Sequence, residues 1–403
     1  MPTSAKTGTP YVLLVTVLAL LAVFPPVATD MYLSGLDQLA HSLGASDAAV
    51  ELSLSLFFLG LCVGQLIMGP AIDGFGRKGP LIVGIAVFTV TSVALLLVGD
   101  VTIFNGLRAV QAIGACAGMV VGRAMVTDLF EGREAAKTMT VLVMLMTIGP
   151  VMAPFVGSLF LTAWGWQSIF VFMVILGLAS ASLSMIVLPE TLPKEERGDT
   201  PFRDAFKGYA RLVSNPRFLI PAFVAALVQA AMFAFITASA GIFKSFYGLD
   251  NMTYGLLFGL VAASLAVFSH INTRLLNHYS PEVLLTACLP VFALLGGGLF
   301  ALSSTQNLWV FVVPLWFAIG FVGLLSANAM SIAMEAARGG AGVGSALLGA
   351  CQFAIAFLCS TVVALMTAED ASPMAIGIFV PALAALALWF AGRLIRPQEV
   401  ANT

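Results

Sequence analysis

The sequence predicts an all-α integral membrane protein of twelve membrane-spanning helices in two six-helix bundles. Three observations lead there. Hydrophobic residues make up 60% of the 403 residues and charged residues only 9%. Soluble domains carry roughly 25% charge, and a soluble fold of this size could not cover its surface with so little. Apolar runs recur along the whole chain, each of about 20 residues and so able to cross about 30 Å of hydrocarbon. The longest polar segment, Pro189 to Pro216, divides these runs six and six. The expected organisation is a bundle over 1–188, a cytoplasmic linker over 189–216 and a second bundle over 217–403. Paired halves around a central cavity are the plan of a secondary transporter. Within the linker, "DAFKGYARLV" reads as a surface amphipathic helix.

The spans follow in order. The first, 11–32, is free of charge from Tyr11 to Thr29 and then reaches Asp30. A cleaved signal peptide with Lys6 as its basic end is the competing reading, set aside because the same kind of segment returns again and again. Spans 48–71 and 80–98 flank "GPAIDGFGRKGP", and span 103–126 starts after the polar break "GDVT". Span 137–163 is rich in glycine and proline, and "GW" parts it from span 166–188. The second set is 218–246, 253–275, 282–303, 307–334, 342–367 and 372–393, with "TRLLNHYSPE", "SSTQN" and "AEDASP" among its breaks.

Lys and Arg set the orientation. With the N-terminus inside, the cytoplasmic segments receive Lys6, Arg77, Lys78, Arg133, Lys137, the cluster from Lys194 to Arg217, Arg274, Arg338, Arg393 and Arg396. The outer loops receive Lys244 together with Asp37, Asp47, Asp100, Asp250, Glu369 and Asp370. The positive-inside rule then puts both termini in the cytoplasm. Other chemistry finds little support. The five cysteines lie in apolar runs without a CxxC pair, and the three histidines are scattered, which argues against disulfides and metal sites. No cofactor is expected. Net charge near zero leaves no nucleic-acid footprint. An integral-membrane enzyme is the reading from another class, and the chain shows no nucleophile–histidine pair and no Walker A loop.

Four stretches carry polar residues or helix breakers where a span should avoid them. In Gly69–Pro80, Gly74 and Gly76 permit a tight turn and Asp73 with Arg77 supplies a charge pair. Asp128, at the inner end of the fourth span, could join that pair or be an ordinary flanking charge. In "RAVQAIGACAGMVVG", Arg108 lies five residues inside the outer end, about 7–8 Å deep. Intramembrane groups such as Arg108 and Gln111 usually face a cavity or a partner. The Gly114, Gly118 and Gly122 stripe suits close helix packing. In "TIGPVMAPFVGS", Gly149, Pro150, Pro154 and Gly157 weaken a helix, as a bent packing element or as a functional one. In "FPPVATDMYL", Pro25 and Pro26 remove backbone donors one turn before Asp30.

The Gly69–Pro80 turn resembles the G-x-x-x-D-x-x-G-R-[RK] loop of the major facilitator superfamily. "RAVQAIG" is similar to the fourth-span motif of its proton-coupled drug antiporters, and the Gly149–Pro150 stretch to their G-x-x-x-G-P-x-x-G-G motif. Leu145, Ala153 and Pro154 stand where that motif has glycines. Together with "TDMYL", "PETLP" and "SANAM", these stretches resemble the bicyclomycin-resistance branch of the twelve-span drug:proton antiporters. The resemblance implies a proton-coupled exporter of small amphipathic drugs or metabolites in the bacterial inner membrane, with a small-molecule substrate, protons and the lipid bilayer as partners and a monomer as the unit. A purine nucleoside or other metabolite carrier of the same fold is the alternative. The position of Asp30 matches an acidic residue of the family's first span, while Ala22 stands where some multidrug relatives have a second acid.

Asp30, near the outer end of an outward-running span, and Arg108, just inside the outer end of an inward-running one, have similar expected depths. A charge pair between them is therefore geometrically possible. Burial disfavours an ionised carboxylate and a nearby arginine favours it, so a group held between the two can exchange a proton as a cavity switches sides. A static acid at a helix end is the other reading. Tyr32, Gln111, Phe233, Asn328 and Gln352 are the candidate substrate contacts, with core packing the alternative for each. Asp73, Arg77 and Asp128 are the candidate gate.

Overall fold

The computed structural model describes residues 10–130, 132–198, 200–337, 341–366 and 369–395. Among these the regular structure is helical, without a strand. In chain order the helices are α1 (Tyr11–Leu43), α2 (Asp47–Gly74), α3 (Lys78–Leu97), α4 (Val101–Leu129), α5 (Gly132–Trp164) and α6 (Gln167–Val187). Then come α7 (Pro201–Val213), α8 (Pro216–Phe246), α9 (Asn251–Leu275), α10 (Pro281–Ala301), α11 (Leu308–Ala336), α12 (Ala341–Leu365) and α13 (Ser372–Ile395). Eleven of them are long and apolar enough to cross a bilayer. With the 33-residue α5, they make the twelve spans, and α7 is the amphipathic helix of the linker.

The polar breaks work as caps. Asp100 of "GDVT" accepts from Thr102 N and Ile103 N, each at 2.9 Å, at the start of α4. Ser46 and Asn307 do the same for α2 and α11. Each cap satisfies amides that the first helical turn leaves without a carbonyl.

The chain forms two compact units, Met1–Phe206 with Asp250–Gly259, and Lys207–Leu249 with Leu260–Thr403. In the first, α4 is the hub, packed on α1, α2 and α3. The glycine stripe is what allows this. A Cβ on Gly114 would meet the Phe88 backbone nitrogen at 2.6 Å, and one on Gly118 would meet the Leu21 carbonyl oxygen at 2.8 Å. Backbones approach this closely only where one of the two lacks a side chain at the contact, the usual device of helix packing in lipid. The early part of α9 belongs with this unit through Gly255, which lies against Pro154, Phe155 and Ser158 of α5. In the second unit, α8 packs on α11, α12 and α13. Hydroxyl groups of Thr237 and Ser360 bond at 2.7 Å between α8 and α12, and Ser326 of α11 donates to Gln229 of α8 at 3.1 Å.

The first span is longer than its sequence suggests. Helical structure does not stop near residue 32 but continues to Leu43, through a π-helical turn at Val27–Met31 and a 3-10 turn at Tyr32–Gly35. Asp30 therefore sits well inside a 33-residue helix and not near its end. The cause is local. Pro25 and Pro26 interrupt the hydrogen-bond ladder, and the widened turn takes up the mismatch so that the helix resumes beyond it.

Candidate functional site

The break in α1 exposes backbone, and neighbouring groups use it. Pro25 cannot donate to the Leu21 carbonyl, and that carbonyl is where Gly118 of α4 approaches. Thr29 Oγ1 donates to the Pro25 carbonyl at 2.8 Å. One turn on, Arg108 Nη2 donates to the Ala28 carbonyl at 2.7 Å. Thus α4 holds the disrupted stretch at two heights.

Arg108 is fully buried. Its Nη1 donates to Gln111 Oε1 at 2.6 Å, and Gln111 Nε2 donates to Ser92 Oγ at 2.7 Å. Its Cζ lies 4.5 Å from the centroids of both the Tyr32 and the Phe57 rings. The Tyr32 hydroxyl in turn bonds Ser53. A guanidinium in this position is stabilised by carbonyl dipoles and two π faces, without a counter-carboxylate. Asp30 is also buried, and its Oδ1 has no hydrogen-bond partner; neither does Arg108 Nε. Among the described residues no ion pair joins Asp30 to Arg108. The pairing that the two depths allowed is not made here, because the π-turn offers Arg108 a backbone carbonyl in place of the carboxylate.

The proline- and glycine-bearing face of α5 packs on the same break. A Cβ on Gly149 would meet Pro26 Cβ at 2.7 Å, and one on Gly157 would overlap the Met31 carbonyl. The Pro154 carbonyl accepts from Ser34 Oγ at 3.1 Å and from Ser158 Oγ at 2.8 Å. The Pro150 side chain lies outside the described residues. The weakened stretch of α5 therefore seats the weakened stretch of α1.

At the other end of these helices a second cluster forms. Gly76, at φ +90°, turns the chain between α2 and α3. Arg77 Nη1 meets Asp73 Oδ1 at 2.7 Å and its Nε meets Asp128 Oδ2 at 3.0 Å. Thr191 Oγ1 donates to that same Asp128 oxygen at 2.7 Å. Partial burial alone would lower the Arg77 basicity, but the two carboxylates outweigh it and push its pKa up. Behind them, Glu190 accepts from Arg77 N at 2.8 Å, Lys78 N at 3.2 Å and Leu192 N at 3.1 Å, and pairs with Arg197 at 3.5 Å. Desolvation opposes its ionisation, yet these amides and Arg197 hold the carboxyl below its ordinary range.

Of the candidate substrate contacts, Tyr32 and Gln111 are buried around Arg108. Asn328 is buried too, donating to Asn272 Oδ1 at 2.8 Å and to the Leu324 carbonyl at 3.0 Å between α9 and α11. Phe233 lies 6.1 Å, ring to ring, from Phe353, beside the half-buried Gln352. Sequence reasoning passed over Phe57, Ser53, Asn272, Glu190 and Arg197. The signal for Glu190 was present in "PETLP", a carboxylate directly after an apolar span, on the side where Arg77 was expected. Nothing in the sequence pointed to Phe57, one phenylalanine among thirty.

Comparison with known proteins identifies the family and the fold. A family model described as Major Facilitator Superfamily matches residues 14–360. The chain is 29% identical to a bicyclomycin resistance protein homolog of Haemophilus influenzae, over 89% of this chain and 90% of that protein. It is 30% identical to the multidrug resistance protein MdtL of Shigella flexneri, over 81% of this chain and 82% of the relative. Among solved structures, the crystal structure of a D-xylose–proton symporter matches with a TM-score of 0.73 at 18% identity, covering 94% of this chain and 98% of that one. At that identity the likeness speaks for the fold alone.

Proposed function

The chain belongs to the major facilitator superfamily, and within it to the bicyclomycin-resistance branch; from that premise we propose that it is a proton-coupled exporter of small amphipathic drugs or metabolites, working by alternating access. It is a multi-pass membrane transporter and not an enzyme. Export of drugs is inferred from relatives named for bicyclomycin and multidrug resistance. We take 1–188 and 217–403 as the two moving halves and 189–216 as their linker. The protein acts as a monomer in the bacterial inner membrane, with both termini cytoplasmic by the positive-inside rule.

The observation that carries the coupling proposal is the Asp30 carboxylate, buried with one oxygen unsatisfied inside a π-turn. A buried carboxylate oxygen without a hydrogen-bond partner is costly, and a proton, water or a cation that reaches it relieves that cost. Arg108 of α4 is bound to the Ala28 carbonyl, two residues before Asp30 along α1, an interaction that a small shift of the turn could exchange for the carboxylate. Loss of the proton would then accompany a change in how α4 grips α1. The gate is the Asp73–Arg77–Asp128 cluster. Gln352 and Phe233 are the candidates for touching substrate, and Tyr32, Gln111 and Asn328 support the walls.

The test uses Asp30→Asn in proteoliposomes. Substrate binding should persist and lose most of its pH dependence, since binding and proton release are linked through one group. Efflux driven by a pH gradient should fall to background while substrate-for-substrate exchange continues. An Asp30→Asn protein that still concentrates substrate on a proton gradient alone would place coupling elsewhere.

A further inference from the structure

Helices α10 and α13 pack together in the second unit, and where α10 begins and α13 ends they leave a cleft of about 280 Å³, lined by Glu282, Val283, Thr286, Ala287 and Arg393. We propose that this cleft binds a zwitterionic phospholipid bearing a primary amine, of the phosphoethanolamine class. The site shares no residue with the candidate coupling, gate or substrate contacts and does not depend on those assignments.

Thr286 is the fixed point. Its hydroxyl donates to the Glu282 carbonyl at 2.7 Å and accepts from Trp389 Nε1 at 3.0 Å and from Arg393 Nη1 at 2.8 Å. One donor and two acceptor positions are all that a hydroxyl has, so it is saturated. It anchors one of the five guanidinium N–H groups and leaves the rest to the exposed face of Arg393. Glu282 lines the same cleft, and among the described residues no ion pair joins it to Arg393. Opposite charges held in one cleft without neutralising each other suit a ligand that carries both.

The surroundings select a lipid. Both helices are membrane spans, and the two charges stand in the first turn of one and the last turns of the other, at headgroup level. Trp389 is buried and its indole N–H donates to Thr286, which fixes the floor of the cleft. Val283, half exposed beside Glu282, and Ala287, exposed about one turn deeper, give an acyl chain an apolar wall to lie against. Arg393 offers the phosphate a forked set of donors. Glu282 accepts from an ammonium. An anionic headgroup without an amine meets the Glu282 charge, and a quaternary amine has no N–H to give.

Native mass spectrometry of the purified full-length protein, loaded in turn with dioleoyl phosphatidylethanolamine, phosphatidylcholine and phosphatidylglycerol, tests this. Phosphatidylethanolamine should be retained best. Glu282→Gln should cut that preference over phosphatidylcholine about tenfold, the scale of one charge-assisted hydrogen bond. Arg393→Gln should weaken both zwitterionic lipids, and Arg393→Lys should restore part of the loss, which separates charge from misfolding. Thr286→Val, with both charges intact, should also weaken retention by freeing Arg393. Equal retention of the three lipids, or a phosphatidylethanolamine preference unchanged in Glu282→Gln, overturns the proposal. So does saturation by soluble phosphoethanolamine at the concentration that suffices for the lipid, since the acyl chain would then add nothing.

Discussion

Arg108 donates to the carbonyl of Ala28 at 2.7 Å, two residues before Asp30, and not to the Asp30 carboxylate. The arginine is therefore a clamp on the backbone of the first span. A clamp of this kind needs the planar fork, because one guanidinium has to reach a carbonyl and the Gln111 amide while lying between two rings.

Arg108→Lys should accordingly fail to replace it. A lysine keeps the charge but gives up the fork and the double stacking. Proton-driven transport in proteoliposomes should fall about tenfold or more, as expected for losing a hydrogen bond to a charged group, with melting temperature also lowered. Wild-type rates in Arg108→Lys would mean that charge alone matters at this position.

Gly157→Ala should destabilise through contact with backbone. The added methyl overlaps the Met31 carbonyl, which has no rotamer into which to escape. Overpacking of this type costs about 1–3 kcal/mol, to be read from thermal unfolding in detergent. Gly106→Ala, where the same methyl meets nothing within 4 Å, is the control and should melt like the wild type.

Arg77→Ala should slow transport while leaving substrate affinity within a few-fold. It removes the group shared by Asp73 and Asp128 at a site distant in sequence from every candidate substrate contact, so it biases conformations without touching ligand. Equilibrium binding measured beside transport rates decides it. A large loss of affinity with normal cycling would rule the cluster out as a gate.

Glu190→Gln should show a stability defect that depends on pH. The folded carboxyl titrates below its ordinary value near 4.5, so its contribution is present above that value and is lost as pH falls through the folded value. The melting-temperature gap between wild type and Glu190→Gln should be open at neutral pH and close as pH falls through the lowered pKa of the folded carboxyl. A gap independent of pH would assign the defect to shape and not to charge.

Reporters fused after Gly198 and at Thr403 should both report cytoplasm, and one near Ser46 the outside. An outside Gly198 would reverse the orientation.

Much of the fold was legible because a bilayer constrains length and apolarity together. All twelve spans and the polar breaks between them follow from that. The end of the first span did not, since Asp37, Gln38 and His41 lower the hydropathy while the helix continues through them to Leu43. The candidate gate residues could be grouped from sequence because a short turn keeps Asp73 near Arg77. The burial of Gln111 and Asn328 could not be read, because a span that is apolar on every side has no period to show which way a polar residue points. The grip of Arg108 on Ala28 was hidden for a further reason: a backbone carbonyl has no letter in the sequence.

The anchoring of Glu190 has a mechanical side. The chain leaving α6 is tied at once to the α2–α3 turn by the amides of Arg77 and Lys78 and by Gly198 N on the Asp73 carbonyl at 3.3 Å, and to the end of α4 by Thr191 on Asp128. The first ten residues of the polar connector thus provide no slack, and its working tether begins only after Gly198. Lengthening the connector upstream of that point would loosen the knot around Arg77, whereas lengthening it downstream would change only how far the rope can pay out.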